Sequence, residues 1–248
     1  MLEIENLSFQ YDGYHVLEGI HLQLHQGETV AILGPSGVGK TTLFNLIAGI
    51  HEVQTGRIEI DGSKEIKGKV SYMLQKDMLY PHYTVVENIM LPRIIQGENK
   101  RKAREFAQNL LDSFGLREWE NYYPHALSGG MRQRVAFMRT AAFGRQWLLL
   151  DEAFSALDAI TRRQLHQWFI DYRQEMGWSS LIITHDVDEA LILSDRIYVI
   201  NGQPGRITYE LAVDVQHQNV EDIIFENQFL EAKRKLLAAL KENESNII

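Results

Sequence analysis

Glu28-Thr-Val-Ala-Ile-Leu-Gly34-Pro-Ser-Gly-Val-Gly39-Lys40-Thr41 is the stretch on which the fold turns. Glu28–Leu33 is a nearly continuous β-branched and aliphatic run, as a strand buried on both faces requires. Thr41–Ala48 has helical spacing and stops at Gly49. Between them, Gly34 to Thr41 fits the pattern G-x-x-x-x-G-K-[ST]. Small residues let successive backbone N–H groups turn inward and cradle phosphates at the positive end of the following helix. A glycine turn can match so short a pattern by chance, but the strand before it and the helix after it supply the context that phosphate binding needs. Gly34, Pro35, Ser36, Gly37, Val38, Gly39, Lys40, Thr41 and Thr42 are the expected nucleotide contacts. Lys40 would bridge the β- and γ-phosphates, and the Thr41 hydroxyl would ligate Mg²⁺.

Further along, Leu148-Leu-Leu-Asp151-Glu152 ends a second buried strand in two carboxylates. The carboxyl end of a strand is where ligands sit on an open α/β sheet. Asp151 is the expected Mg²⁺ ligand, and Glu152 the general base for an attacking water. A lone Asp-Glu is usually an ordinary strand end; its pairing with the loop at Gly34 makes the functional reading the better one.

The rest of the chain is β–α alternation with one interruption. Strands are expected at Leu2–Phe9, His21–Leu24, Arg57–Ile60 and Val70–Leu74. Helical character runs from Val85 to Ala142, with Phe106 and Leu110 on one stripe of Lys102–Leu111. Then follow strand Trp147–Leu150, a helix from about Thr161 to Met176, strand Leu181–Thr184, helix Val187–Leu193 and strand Arg196–Ile200. Asn201-Gly202 predicts a hairpin turn into Arg206–Leu211. The expectation is an α/β sheet with a helical insert of roughly sixty residues.

Composition narrows the function classes. The 248 residues are 45% hydrophobic and 23% charged, so whole-chain disorder is excluded. There is no cysteine, which removes disulfides, thiolate metal sites and cysteine nucleophiles. The nine histidines show no metal-ligand clustering. A net charge of −8 offers no global attraction to phosphate backbones, so no nucleic acid partner is expected. No apolar run approaches the ~20 residues of a membrane span, and the N-terminus has no secretory pattern. Work at a membrane would therefore go through a partner.

A third motif, Leu127-Ser128-Gly129-Gly130-Met131-Arg132-Gln133-Arg134, opens a helix with Ser128 as N-cap. Alone it is a weak signal. After the two earlier motifs it resembles the signature sequence of the ABC (ATP-binding cassette) family, and the resemblance extends over about Met1 to Leu211. It implies an α/β P-loop NTPase of the ABC-cassette fold, with a core mixed or parallel sheet, an N-terminal antiparallel β subdomain and an inserted α-helical subdomain at about 76–142. Residues 1–211 would be the ATPase domain and 212–248 a C-terminal helical tail whose apolar stripe (Phe229, Leu236, Leu237, Leu240) packs on the cassette or on a dimer mate.

The resemblance also implies roles. Tyr11 would stack on adenine, with Tyr14 as a rival; Gln75 would touch Mg²⁺ and the attacking water; Ser155-Ala-Leu-Asp158 would cross between subunits; and His185 would contact the γ-phosphate. Ser128, Gly129 and Gly130 would cap the nucleotide of a facing copy, giving a head-to-tail homodimer with two ATPs between its subunits. Met131 stands where the signature often has Gln, and Asp151-Glu-Ala-Phe-Ser155 replaces a commoner Glu-Pro-Thr. With Pro204-Gly205-Arg206-Ile207, these variants are similar to the bacterial importer branch for nitrate, sulfonates and taurine. The implied role is the ATP-hydrolysing subunit of an importer, at the cytoplasmic face of the membrane, working with integral permease subunits and indirectly with a solute-binding protein. Tyr80, His82 and Tyr83 are the expected permease contacts; Leu79 and Val86 suit that groove or the core of the helical insert equally. The competing classes are a soluble cassette acting on another macromolecular assembly and an inactive nucleotide-binding module. A long coiled-coil insert or a second nucleotide unit would favour the former, loss of Glu152 or His185 the latter; the chain has none of these features.

Overall fold

The structure, a computed structural model, describes residues 1–155, 157–214, 224 and 226–241. Two sheets carry it. A three-stranded antiparallel sheet pairs β1 (Leu2–Tyr11) with β2 (Tyr14–Leu24) on one side and β4 (Thr55–Ile60) on the other. A six-stranded sheet has the order β5-β6-β7-β3-β8-β9. In it β3 (Thr29–Leu33), β5 (Val70–Met73), β6 (Trp147–Asp151), β7 (Ser179–Ile183) and β8 (Arg196–Asn201) run parallel. The edge strand β9 (Arg206–Ala212) is antiparallel to β8. Strands β3, β6 and β7 are buried at every residue: each has a core of three or four consecutive apolar residues, and the polar Thr29, Asp151, Ser179 and Ser180 at their ends are buried with it.

The helices are α1 (Lys40–Ile47), α2 (Val85–Ile95), α3 (Lys100–Ser113), α4 (Gly129–Ala141), α5 (Ala159–Met176), α6 (Val187–Leu193) and α7 (Asn227–Lys241). Side chains fix several of their starts. Thr84 and Glu87 form a reciprocal capping box on α2. Ser128 Oγ accepts from Met131 N on α4, as its sequence position predicts. Asp158 accepts from Ile160 N and Thr161 N, so α5 begins at Ala159, two residues earlier than its apolar periodicity suggests. One apolar core lies under α2–α7 and another between the two sheets and α1.

Two expectations change, and one choice left open is decided. The first antiparallel hairpin is much longer than read: β2 starts at Tyr14, not His21. The turn after β8 spans Gly202–Gly205, and Asn201 is the last residue of the strand, paired with Arg206. Leu79 and Val86 are both in the core, whereas Tyr80, His82 and Tyr83 are exposed. In the tail, Phe229 and Leu236 are buried while Leu237 is exposed, so the stripe packs on the cassette; residues 215–223, 225 and 242–248 of that segment, and Ala156, lie outside the described residues.

Candidate functional site

The loop Gly34–Gly39 is held from behind by backbone. A Cβ on Gly34 would lie 2.3 Å from the Ile200 carbonyl oxygen, and one on Gly205 would lie 2.2 Å from that of Val38. Gly205 N donates to Val16 O at 2.9 Å and Glu18 N donates to Gly205 O at 3.0 Å, which ties the loop's support to β2. Gly37 and Gly39 have φ of 81° and 106°, values open to glycine at little steric cost. Pro204-Gly205, noted in the sequence only as a branch resemblance, is thus the brace behind the phosphate loop.

In front of the loop is a polar cleft of about 280 Å³. Its wall contains Ser36, Gly37, Gly39, Lys40, Thr41 and Thr42 from the loop, together with Gln75, Asp151 and Glu152. Lys40 is buried, and Nζ donates to Gly34 O and Pro35 O, each at 2.8 Å. Burial lowers its pKa, while the charges of Glu152 and Asp151 pull it back up. Asp151 is 2% exposed; burial raises its pKa, the hydrogen bond from Thr41 opposes the rise, and the Glu152 charge adds to it. Thr41 Oγ1 donates to Asp151 Oδ2 at 2.9 Å. These two hard oxygen donors, adjacent at the foot of the loop, fit Mg²⁺, which takes one or two protein oxygens and fills its shell with phosphate and water.

Glu152 leaves the end of β6 with φ of 48°, a left-handed conformation that costs a non-glycine residue of order 1–3 kcal/mol. Its N–H donates to Ile183 O, and its own carbonyl accepts from Ser155 Oγ, which together hold the turn. The carboxylate is shared: Gln75 Nε2 donates to Oε2 at 2.9 Å, and His185 Nδ1 lies 3.7 Å from Oε1. Thus Gln75, from the end of β5, Glu152, from β6, and His185, after β7, meet across three neighbouring strands. The sequence places them 77 and 33 residues apart.

The remaining assignments fall elsewhere. Ser128 and Gly129 are exposed at the start of α4 and do not line the cleft; Gly130 lies against Leu157, where a Cβ would sit 3.3 Å from Leu157 Cδ2. Asp158 is exposed as the α5 cap. Gly34, Pro35 and Val38 are in the loop but not in the cleft wall. Tyr11 is at the tip of the β1–β2 hairpin, its hydroxyl 2.9 Å from His51 Nε2; neither it nor Tyr14 lines the cleft. Val16 and Ile183 do, and neither was anticipated. Gln133 was also missed: buried in α4, it donates to Ala153 O at 3.0 Å and so ties the Ser128 helix to the Glu152 turn.

A phosphate loop opening α1, a carboxylate pair at the end of a parallel strand, and a sheet of this order define a P-loop nucleotide-binding ATPase. The ABC transporter family model matches residues 17–155. The formylaminopyrimidine import ATP-binding protein ThiZ of Halalkalibacterium halodurans is 38% identical, over 98% of this chain and 97% of its own. The taurine import ATP-binding protein TauB of Escherichia coli O157:H7 is also 38% identical, over 98% of each. Among solved structures, a cassette whose dimeric post-hydrolysis state holds ADP and Pi superposes with TM-score 0.77 at 28% identity, covering 86% of this chain and 99% of the other. The cbiO1 subunit of the cbiONQ transporter complex of Clostridium perfringens gives 0.77 at 26% identity, covering 95% and 94%. The chain belongs to the ABC transporter family: it is an ATP-binding subunit that hydrolyses ATP to drive transport.

Proposed function

We propose that this protein is the ATPase subunit of an importer for a small solute of the sulfonate, taurine or pyrimidine-precursor kind, docked on integral permease subunits at the cytoplasmic face of the membrane. The import proteins that it matches along nearly its whole length support this reading. Among the described residues no helix is long and apolar enough to cross a membrane. One observation carries the mechanism: Lys40, Gln75 and Glu152 line one cleft, with the exposed His185 outside its wall but 3.7 Å from the Glu152 carboxylate, while Ser128 and Gly129 stand exposed and line no part of it. Each chain holds most of a hydrolytic site and offers the complement to another copy.

In this reading residues 1–211 are the ATPase domain, 76–142 its helical insert and 212–248 the tail. The N–H groups of Ser36–Thr42 bind the β- and γ-phosphates, with Lys40 supplying charge. Thr41, Asp151 and the Gln75 amide would hold Mg²⁺, which when bound would neutralise phosphate charge. Glu152 accepts a proton from the attacking water, Gln75 orients that carboxylate, and His185 contacts the γ-phosphate. Tyr11 stacks on adenine. Ser128, Gly129 and Gly130 of a second copy close over the nucleotide, and Asp158 borders that junction. Binding of ATP joins two copies and hydrolysis parts them, so nucleotide state becomes mechanical state.

Tyr80, His82 and Tyr83 present an exposed surface to the permease. The segment is bolted to the Ser128 helix: Arg132 Nε donates to Asp77 Oδ2 at 3.0 Å, and Arg139 donates to the carbonyls of Asp77 and Met78, each at 2.7 Å. Movement at the membrane surface would thereby reach the helix that caps the facing nucleotide. The test is affinity capture of the full-length chain from its own membranes, with identification of the permease and reconstitution of uptake in vesicles. ATP-dependent uptake supports the importer reading; capture of a soluble assembly with no permease would overturn it.

A further inference from the structure

Three carboxylates follow His185 within one turn of α6, and each meets a base from another element. Asp186 Oδ2 lies 3.6 Å from Arg162 NH1, Asp188 Oδ1 lies 2.6 Å from Lys233 Nζ of α7, and Glu189 Oε2 lies 3.6 Å from His166 Nε2. The first two pairs are partly exposed and contribute little to stability. The third is different: His166 and Glu189 are both 3% exposed. At 3.6 Å their atoms are too far apart for a hydrogen bond, and among the described residues neither His166 Nε2 nor Glu189 Oε1 has a hydrogen-bond partner. A buried carboxylate oxygen and a ring nitrogen left unsatisfied cost free energy that native structures rarely spend without cause.

The position of His166 supplies the cause. Its ring stands edge-on to Phe154 with centroids 5.0 Å apart, and Phe154 is two residues beyond Glu152. Its Nε2 faces Glu189, which is four residues beyond His185. One side chain therefore touches both the turn that carries the carboxylate and the helix that follows the histidine. One turn earlier on α5, Arg162 NH2 donates to Leu157 O at 3.0 Å, fixing the same helix to the turn that ends at Asp158.

We propose that His166 is a positioning residue for ATP hydrolysis, holding the Glu152 turn through Phe154 and the His185 helix through Glu189 at their working separation. The gap to Glu189 is short enough that a shift of a few tenths of an ångström in α6 makes the bond. Forming that bond commits α6, and with it His185, to a single register against Glu152. Displacing a reacting group by about 1 Å can cost on the order of a hundredfold in rate. The inference rests on Glu152 and His185 being the hydrolytic pair.

Four variants of the full-length protein test it, with kcat and KM for ATP and Tm as readouts. In His166→Leu/Glu189→Leu the buried pair becomes apolar, so the fold is kept or strengthened; kcat is expected to fall roughly 10- to 100-fold with KM within about twofold of wild type. In His166→Gln an amide N–H still faces Glu189, and kcat is expected to stay within a few-fold. Full kcat in the double variant would overturn the proposal. So would parallel loss of kcat, KM and Tm, or a His166→Gln protein as slow as the double variant. Glu152→Gln and His185→Ala serve as controls: if they leave kcat intact, the hydrolytic reading itself fails, separately from the inference about His166.

Discussion

Gln75 Nε2 donates to Glu152 Oε2 at 2.9 Å, joining the end of one strand to the end of its neighbour across the mouth of the nucleotide cleft. The bond matters because Glu152 stands on a left-handed turn and its carboxylate is aimed by what surrounds it. The segment after Gln75, which carries the exposed Tyr80 and Tyr83, is thus one hydrogen bond away from the Glu152 carboxylate proposed as the base.

The first prediction separates strain from chemistry at Glu152. Glu152→Gln should lower kcat by about 10²- to 10⁴-fold, the usual share of a positioned base, with ATP affinity retained. Glu152→Gly should lose kcat as well but raise Tm, because glycine adopts φ of 48° without the cost. Kinetics and calorimetry on the two variants check it; a Gly variant with lower Tm would show that the turn stores no strain.

Asp151 gives a pH-dependent stability. Its buried carboxyl titrates above the unfolded value of about 3.9, so ionisation in the folded state costs free energy. That group's contribution is fully present below the unfolded pKa and is lost as pH rises through the raised folded one. Asp151→Asn, which still accepts from Thr41, should therefore gain Tm over wild type as pH increases across this window, while hydrolysis is lost. Melting curves of the nucleotide-free protein from acid to neutral pH measure the difference; a constant or shrinking gap would contradict the assignment.

How much of this was open to the sequence depended on whether the residues concerned lie together in the chain. The strand–loop–helix at Gly34 and the Leu148–Glu152 strand end were legible because the physics is local: continuous apolar burial, then small residues, then a helix. Gln75 and His185 followed only from the family resemblance, since their meeting with Glu152 depends on strand order. The first half of β2 escaped because its pairing with β1 shifts register three times, between Ile4 and Leu7, Leu7 and Phe9, and Phe9 and Gln10, which destroys the period-2 alternation. Val16 was lost with it. His166 and Gln133 carry no pattern in the sequence; each is defined by a contact to a residue at least 20 positions away.

The brace behind the phosphate loop predicts an effect at a distance. Gly205→Ala sets a Cβ against the Val38 carbonyl, displacing backbone rather than a flexible side chain. Overpacking of this kind costs about 1–3 kcal/mol, and the displaced element is the loop proposed to bind phosphate. ATP affinity should fall about tenfold or more, although residue 205 is not in the cleft wall. Isothermal titration against wild type decides it.

The tail helix should behave as part of the cassette. Leu236 is fully buried, and Lys233 reaches Asp188 at the start of α6. Leu236→Ala is expected to cost about 2–5 kcal/mol, seen as a single lowered unfolding transition. Lys233→Ala, at a half-exposed pair, should cost under about 1 kcal/mol. A Leu236→Ala protein with unchanged stability would detach the helix from the core.

The most direct measurement is the mass, by light scattering, of the Glu152→Gln protein with Mg·ATP, alone and combined with Ser128→Arg. The account predicts that nucleotide doubles the mass of Glu152→Gln and that adding Ser128→Arg abolishes the doubling, because an arginine there blocks the twin's phosphate site. A protein that stays single with saturating nucleotide, or a dimer indifferent to residue 128, would contradict the shared site.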